Sequence, residues 1–276
     1  PEDFIAELVK VFEEVRRVLK SDGTCWVNMG DCYDAGTRAS RDYSKTTKHG
    51  YWNNPAINLR VSAGLKPKDL IGQPWMLAFA LRAAGWYLRA DIIWHKTNPM
   101  PESVTDRPTK AHEYLFLLSK SPRYYYDAQA IKEPTTGNAH ARGDGVNPKA
   151  KTPGANSRIH QDRDPKHPKV RKNRQNESFS AAVNGLVDDR NKRSVWTVPT
   201  APYPDAHFAT YPAQLITPCI LAGTKPGDVV LDPFGGSGTT GAVALTLGRR
   251  AVLCELNPEY AKLIEQRTTT TLGLAL

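Results

Sequence analysis

Apolar positions fall into two spacings along the first 130 residues. Phe4, Ile5, Leu8, Val11, Phe12, Val15, Val18 and Leu19 recur at helical spacing with charge between them, which predicts an amphipathic helix over residues 4–19. Ser21-Asp22-Gly23 ends that helix, and Thr24–Met29 reads as a short buried strand. The polar stretch 34–66 reads as a surface loop. Leu70–Ala84 is a second amphipathic helix stopped by Gly85, and Trp86–Trp94 alternates as a strand does. Glu113–Ser119 (EYLFLLS) predicts a further strand, followed by Tyr124-Tyr125-Tyr126. Regular patterning resumes near Trp196. It predicts a helix over Tyr211–Ala222, a strand over Asp228–Leu231, a helix over Thr239–Leu247, a strand over Arg250–Glu255 and a last helix over Pro258–Arg267. Strands interleaved with helices predict an α/β layer fold.

Between these blocks the texture changes. From Gly137 to Val195 the chain is rich in Lys, Arg, Asn, Pro and Gly and nearly lacks apolar periodicity. It carries thirteen Lys or Arg against six Asp or Glu, so seven of the net +9 charges sit in this one stretch. Two readings fit that composition: a disordered linker, or an insertion that orders on a phosphate backbone. The organisation expected is therefore a core part over 1–134, a basic insertion over 135–195 and a second core part over 196–276.

Composition otherwise excludes more than it selects. At 40% hydrophobic and 24% charged residues the chain has enough apolar side chains for a sizeable core. Its four cysteines form no CxxC pair and its seven histidines show no zinc-type spacing with them. A disulfide framework or zinc site is not expected, and a reducing cytoplasm is. No apolar run approaches the ~18 residues of a membrane span, and no signal-peptide pattern opens the chain, so no membrane partner is expected. The first residue is Pro1, directly before a helical pattern and without Met, so the chain reads as a fragment.

The sharpest chemical signal is Val229-Val230-Leu231-Asp232-Pro233-Phe234-Gly235-Gly236-Ser237-Gly238-Thr239-Thr240-Gly241. An apolar strand runs into a Gly-rich turn that opens a helix. Glycine lets a backbone approach a ligand, and a helix start offers unpaired N–H groups. Fourteen residues beyond Gly241 the next strand ends in Glu255, whose carboxylate can accept both hydroxyls of a ribose. Read literally, Gly236, Gly238 and Gly241 spell a G-x-G-x-x-G dinucleotide motif. Against that reading, only 35 residues follow Gly241, and Asp232 would repel a pyrophosphate while welcoming an ammonium or sulfonium ligand. A tight turn with no ligand would need fewer glycines.

Asp232-Pro233-Phe234-Gly235-Gly236-Ser237-Gly238-Thr239-Thr240, preceded by His207–Leu215 (HFATYPAQL) and followed by Glu255-Leu256-Asn257-Pro258-Glu259-Tyr260, resembles the cofactor region of the N4-cytosine/N6-adenine DNA methyltransferases. Asp91–Pro101 (DIIWHKTNPMP) and His112-Glu113-Tyr114-Leu115 are similar to later strands of the same catalytic domain. The likeness covers most of the chain outside 137–195, and the order of parts, with the cofactor motif last, is that of the permuted β class. The resemblance implies a circularly permuted class I S-adenosylmethionine-dependent methyltransferase sheet, Rossmann-like, with the basic insertion as target-recognition region. It implies S-adenosylmethionine as cofactor and double-stranded DNA as partner. Asp232 would hold the methionine amino group, Phe234 would contact the cofactor, Gly235, Gly236 and Gly238 would admit it, and Glu255 would bind the ribose. Pro233, Ser237, Thr239 and Asn257 would complete that site, and His207 and Phe208 would lie at its methionine end. His95, Lys96 and Asn98 follow a strand and are candidates to line the active site, although a surface strand end explains them almost as well.

The family's catalytic tetrapeptide, Asp, Asn or Ser followed by Pro-Pro and an aromatic residue, does not occur in residues 1–276. By resemblance it is expected just upstream of Pro1, on a strand central to the sheet, so no catalytic residue is assigned within the chain and the chain alone is expected not to methylate DNA. Overall likeness to members with Ser-Pro-Pro-Tyr favours cytosine N4 over adenine N6. Three rivals carry distinct expectations: an NAD(P)-binding oxidoreductase, a methyltransferase acting on RNA or a small molecule, and a DNA-binding relic without catalysis. Pro218-Cys219 evokes the nucleophile of cytosine-C5 enzymes, but it precedes the Gly-rich motif within an apolar helix, where a core cysteine is the better reading.

Overall fold

The structure is a computed structural model, and it describes residues 1–34, 64–134, 189–200 and 211–273. Most of the loop expected over 34–66 and most of the basic insertion lie outside the described residues. Two compact units are present, one formed by Pro1–Ala130 with Arg193–Leu276 and the other by Ile131–Lys192.

In the larger unit, helix α1 (Glu2–Val18) leads into strand β1 (Thr24–Met29), and helix α2 (Gln73–Ala83) into β2 (Tyr87–His95) and β3 (His112–Ser119). These boundaries lie within a few residues of those expected from periodicity. The start of α2 is fixed from a distance. The Asp31 carboxylate accepts the N–H groups of Gly72 (2.9 Å) and Gln73 (3.1 Å), which have no partner inside the helix. Strand β3 lies between β1 and β2, antiparallel to both. Its side chains are buried on both faces, which is why EYLFLLS is a continuous apolar run and not an alternating one. Phe116 and Leu118 point into a core with Ile5, Phe12 and Val15 of α1 and Leu77, Ala78 and Leu81 of α2. Leu115 points the other way, toward Trp94 and Ile92 of β2 and Leu215 and Cys219 of the next helix.

One element of this sheet was not expected. The segment Val195–Thr197 forms β6, parallel to β2 with Trp94 opposite Trp196, so the core resumes inside the stretch assigned to the basic insertion. Three residues are too few for a periodic signal, and Trp196 alone marked the spot. In the smaller unit, β4 (Glu133–Pro134) and β5 (Asp189–Arg190) pair antiparallel, with Arg190 bonded to Glu133 (2.8 Å) and Lys132 to Asp189 (2.9 Å).

The remaining elements follow as helix α3 (Ala213–Gly223), strand β7 (Val229–Asp232), helix α4 (Thr239–Thr246), strand β8 (Arg250–Leu253) and helix α5 (Pro258–Gly273). Helix α5 runs six residues past the expected end at Arg267. Within α3, Cys219 is buried at 5% exposure beside Leu215, the core role expected of it. Strands β7 and β8 are parallel and form a two-stranded sheet of their own. Helix α1 touches both sheets: Leu231 of β7 packs against its core cluster, and the Phe12 ring lies 6.3 Å from that of Phe234. Lys20, just before β1, bonds Asp228, just before β7, at 2.6 Å. The two strands therefore start from the same end.

Bonding to the Lys20 ammonium, and next to the Lys225 N–H, holds the Asp228 carboxyl below its ordinary value of 3.8. A lowered acid contributes stability above its unfolded value, and that contribution is lost as pH falls through the folded one. The urea stability gap between the parent chain and Asp228→Asn is thus expected to be steady near neutral pH and to close as the pH drops below 3.8. A gap of constant size into that acid range would assign the effect to packing.

Candidate functional site

The turn between β7 and α4 is built against α5. A Cβ on Gly235 would sit 3.1 Å from Ile264 Cδ1, one on Gly238 3.1 Å from Ile264 Cα, and one on Gly241 2.7 Å from Leu253 Cδ1. Gly238 also has φ +79°, a conformation disfavoured for residues with a Cβ. These three glycines answer a packing demand. Gly235 and Gly238, expected to admit the cofactor, thus also make room for α5 behind the turn. Gly236 differs: its φ is +52°, and a Cβ there would meet nothing nearer than 3.8 Å. It is the open glycine of the turn.

Ser237 and Thr239 are likewise turned inward, at 3% and 5% exposure. Arg267 of α5 donates to Ser237 Oγ (3.2 Å) and Thr239 Oγ1 (3.0 Å), binding the turn to the helix behind it. Sequence reasoning missed Arg267, which lies 26 residues after Gly241 in what reads as an ordinary amphipathic helix. Asn257 has a structural partner of its own. Its Oδ1 accepts the Glu259 N–H at 3.0 Å, capping α5, with Pro258 at the first helical position.

What faces outward is a smaller set. Strand β8 ends at Leu253, two residues short of the expected Glu255, and Glu255 follows in the loop. Its Oε2 accepts the Gly236 N–H (2.8 Å) and its Oε1 the Asn257 N–H (2.9 Å). A carboxylate has about four lone-pair sites, so each oxygen keeps one acceptor position. Phe234 is 52% exposed, with its ring tilted against Phe12. Asp232, at the end of β7, accepts the Phe234 N–H on Oδ1 (3.0 Å), and on Oδ2 the hydroxyls of Tyr211 (3.0 Å) and Thr240 (2.5 Å). Burial, and secondly the charge of Asp232, raise the Tyr211 phenol well above its ordinary 10.0, so it stays a donor. The same causes in the same order push the Cys25 thiol up to about 12, which makes it inert as a nucleophile. Pro233 continues the turn. His207 and Phe208 lie outside the described residues.

The second group of candidates sits at the carboxyl end of β2. His95 Nδ1 is 3.3 Å from Thr197 Oγ1 of β6. Lys96 is paired with Glu113 of β3, and its ammonium lies 4.6 Å over the Trp94 ring. Asn98 is engaged with Thr200, accepting its N–H (2.7 Å) and donating to its carbonyl (3.2 Å). Beside them Lys110 donates to the Asp31 carbonyl (2.5 Å), and burial lowers its pKa from 10.5. Glu113 and Lys110 were not singled out as site residues, because their partners are far apart in sequence. Among the described residues no group of three or more His, Cys, Asp or Glu is placed to hold a metal.

The fold is shared with solved proteins named as DNA methyltransferases. The PvuII DNA methyltransferase, cytosine-N4-specific, superimposes with a TM-score of 0.58 at 18% identity, covering 96% of this chain and 71% of that one. TTHA0409 of Thermus thermophilus, named as a DNA modification methylase and solved with S-adenosyl-L-methionine, gives 0.53 at 23% identity, over 98% and 78%. The fold is the class I methyltransferase fold. The chain belongs to the N6/N4 DNA methylase family, which matches residues 1–266. It is 45% identical over 267 residues to the Type II methyltransferase M.SmaI of Serratia marcescens, covering 96% of this chain and 74% of that protein. The Type II methyltransferase M.Cfr9I of Citrobacter freundii is also 45% identical, over 96% of this chain and 71% of its own length.

The two roles of glycine separate by substitution. Gly236→Ala meets only the positive-φ cost of ~1–2 kcal/mol, whereas Gly238→Ala adds a collision with the Ile264 backbone. Gly238→Ala is expected to lose roughly 1–3 kcal/mol more than Gly236→Ala in urea denaturation. Equal losses would show that α5 yields to the added methyl.

Proposed function

We propose that this chain binds S-adenosylmethionine at the carboxyl ends of β7 and β8 and serves transfer of a methyl group to an exocyclic amino nitrogen of a base in double-stranded DNA, N4 of cytosine being favoured. The observation that carries the cofactor reading is the outward face of one turn. Two carboxylates, Asp232 and Glu255, are each held by a backbone N–H of that turn, with open Gly236 and exposed Phe234 between them. The residues fit the ligand. Glu255 keeps one acceptor position on each oxygen, which suits a ribose diol, Phe234 offers a ring face to the adenine, and Asp232 suits an ammonium group. The bound cofactor supplies an electrophilic methyl on sulfonium, so the chain need only orient groups and exclude competing nucleophiles. A paired base must leave the duplex before its amino nitrogen is accessible. The preference for cytosine rests on resemblance to members with Ser-Pro-Pro-Tyr. The basic stretch 135–195 is the proposed DNA contact, its charge excess suiting phosphates.

On this reading the catalytic tetrapeptide, absent from residues 1–276, enters on a strand between β1 and β7. In support, β1 pairs only with β3 and β7 only with β8 among the described residues, while α1 spans both through Phe12–Phe234 and Lys20–Asp228. The 276 residues alone are then a cofactor-binding piece without the group that holds the target base.

Calorimetry with S-adenosylmethionine is expected to show binding by the chain, at least tenfold weaker binding by Asp232→Ala, and none of NAD. Tritium transfer to duplex DNA is expected only when a segment carrying the tetrapeptide is supplied ahead of residue 1. A folded chain that ignores S-adenosylmethionine would sink the cofactor reading, and transfer by residues 1–276 alone would sink the requirement for the tetrapeptide.

A further inference from the structure

We infer that Tyr211 and Thr240 are positioning residues that lock the Asp232 carboxylate, leaving one acceptor position on its Oδ1 to recognise the α-ammonium group of an amino-acid-bearing nucleoside ligand. The inference rests on the cofactor reading proposed above and identifies what gives it selectivity for the amino-acid end.

Three elements bring these groups together. Tyr211 stands just before α3, Thr240 in the first turn of α4, and Asp232 at the end of β7. A carboxylate at a strand end turns freely about two side-chain torsions unless donors fix it. Both hydroxyls converge on Oδ2, at 3.0 and 2.5 Å, and lie 2.5 Å from one another. The Phe234 N–H takes Oδ1 at 3.0 Å. It occupies one of the two lone-pair sites on that oxygen and leaves the other open. The two hydroxyls, with one hydrogen each to share among three O···O contacts, enclose Oδ2.

The electrostatics point the same way. Among the described residues no Lys, Arg or His forms an ion pair with Asp232. Three other half-buried carboxylates are neutralised, Glu113 by Lys96, Glu102 by Arg107 and Asp228 by Lys20. Those of Asp31 and Asp127 accept the N–H groups that start a helix or close a turn. Asp232 is instead held by neutral donors, which fix its orientation without cancelling its charge. A half-buried anion organised in this way favours a cation with hydrogens to donate. Tyr211 contributes through its hydroxyl and not through its charge, because the phenol stays protonated. Ring burial and the hydroxyl bond are separable by Tyr211→Phe, and at position 240 the hydroxyl and the β-branch by Thr240→Ser and Thr240→Val.

The test compares two ligands on the full 276-residue chain by calorimetry. S-adenosylhomocysteine carries the amino-acid end, and 5′-methylthioadenosine shares the nucleoside and thioether but lacks the ammonium. Tyr211→Phe and Thr240→Val are each expected to weaken S-adenosylhomocysteine roughly tenfold, as for loss of a hydrogen bond to a charged group, and to leave methylthioadenosine within about twofold. Thr240→Ser, which keeps the hydroxyl, is expected to bind both as the parent does. Unchanged S-adenosylhomocysteine affinity in both hydroxyl-deletion variants would overturn the inference. So would parallel weakening of the two ligands, which would mean that the hydroxyls support the turn as a whole. If the folded parent chain binds neither ligand, the cofactor reading itself fails, a result distinct from either of these.

Discussion

Helix α5 lies so close to the turn after β7 that Gly235 and Gly238 have no room for a side chain on that side. The rest of the site depends on this approach. Ile264, Arg267 and Thr268 are spaced three and four residues apart, so they share one face of α5. Ile264 covers Gly235 and Gly238, Arg267 reaches Ser237 and Thr239, and Thr268 lies 3.3 Å from a Cβ built on Gly241. With its inner side consumed by this face, the turn can present only its outer side. That side carries Phe234, Gly236 and the backbone N–H groups that orient Asp232 and Glu255. The Gly-rich string thus works in two directions: most of its glycines let a helix in from behind, and one leaves the front open.

Helix α1 has a comparable double role on a larger scale. Its apolar face is spent on β1, β3 and α2, yet Phe12, and Lys20 just past its last turn, also reach the β7 end of the molecule. The two sheets are tied through helix side chains, those of α1 and those of α3, and not through a backbone ladder between β1 and β7. From α3, Leu215 and Cys219 pack against β2 and β3, and Ile220 shares a cluster with Val230 of β7. Such a join is weaker than strand pairing, because an exposed ion pair such as Lys20–Asp228 typically contributes ~0–1 kcal/mol.

Much of this was legible in the sequence, and what was not has definite causes. Long elements with a strong period, α1, α2, β1 and β3, were readable because their apolar spacing records which face is buried. Strand β6 was not, since Val195–Thr197 is too short for a period and sits beside a basic run. The candidate cofactor site was found as a string of residues, but a string does not separate side chains facing a ligand from those facing a helix. Ser237, Thr239 and Asn257 were grouped with Asp232 and Glu255, and the bonds of the first two to Arg267 and the capping of α5 by the third could not be read from that string. That division depends on where α5 packs. Tyr211 sat within the stretch His207–Leu215 that carried the resemblance, but its hydroxyl bond to Asp232 spans 21 residues and has no local signature. Asn98 likewise read as a strand-end candidate, and the bonds of its amide to Thr200, 102 residues away, had no local signature.

The distribution of charge ties the two ends of the proposed function together. A methyl donor of this class is a cation at both its sulfonium and its ammonium, whereas a DNA duplex is a polyanion. A protein that handles both needs separate provisions, since lysines that attract phosphate would repel the donor. The chain meets this requirement in sequence. Seven of its nine surplus positive charges lie between Gly137 and Val195, and none of the ten residues from Asp232 to Gly241 is basic. The structure adds the finer provision. Asp232 and Glu255 are oriented by N–H and O–H donors alone, which leaves their charge for a ligand, while Glu113, Glu102 and Asp228 are each paired with Lys or Arg. Neutral donors orient a carboxylate without supplying a countercharge, and at this turn two carboxylates held in that way flank one exposed aromatic ring.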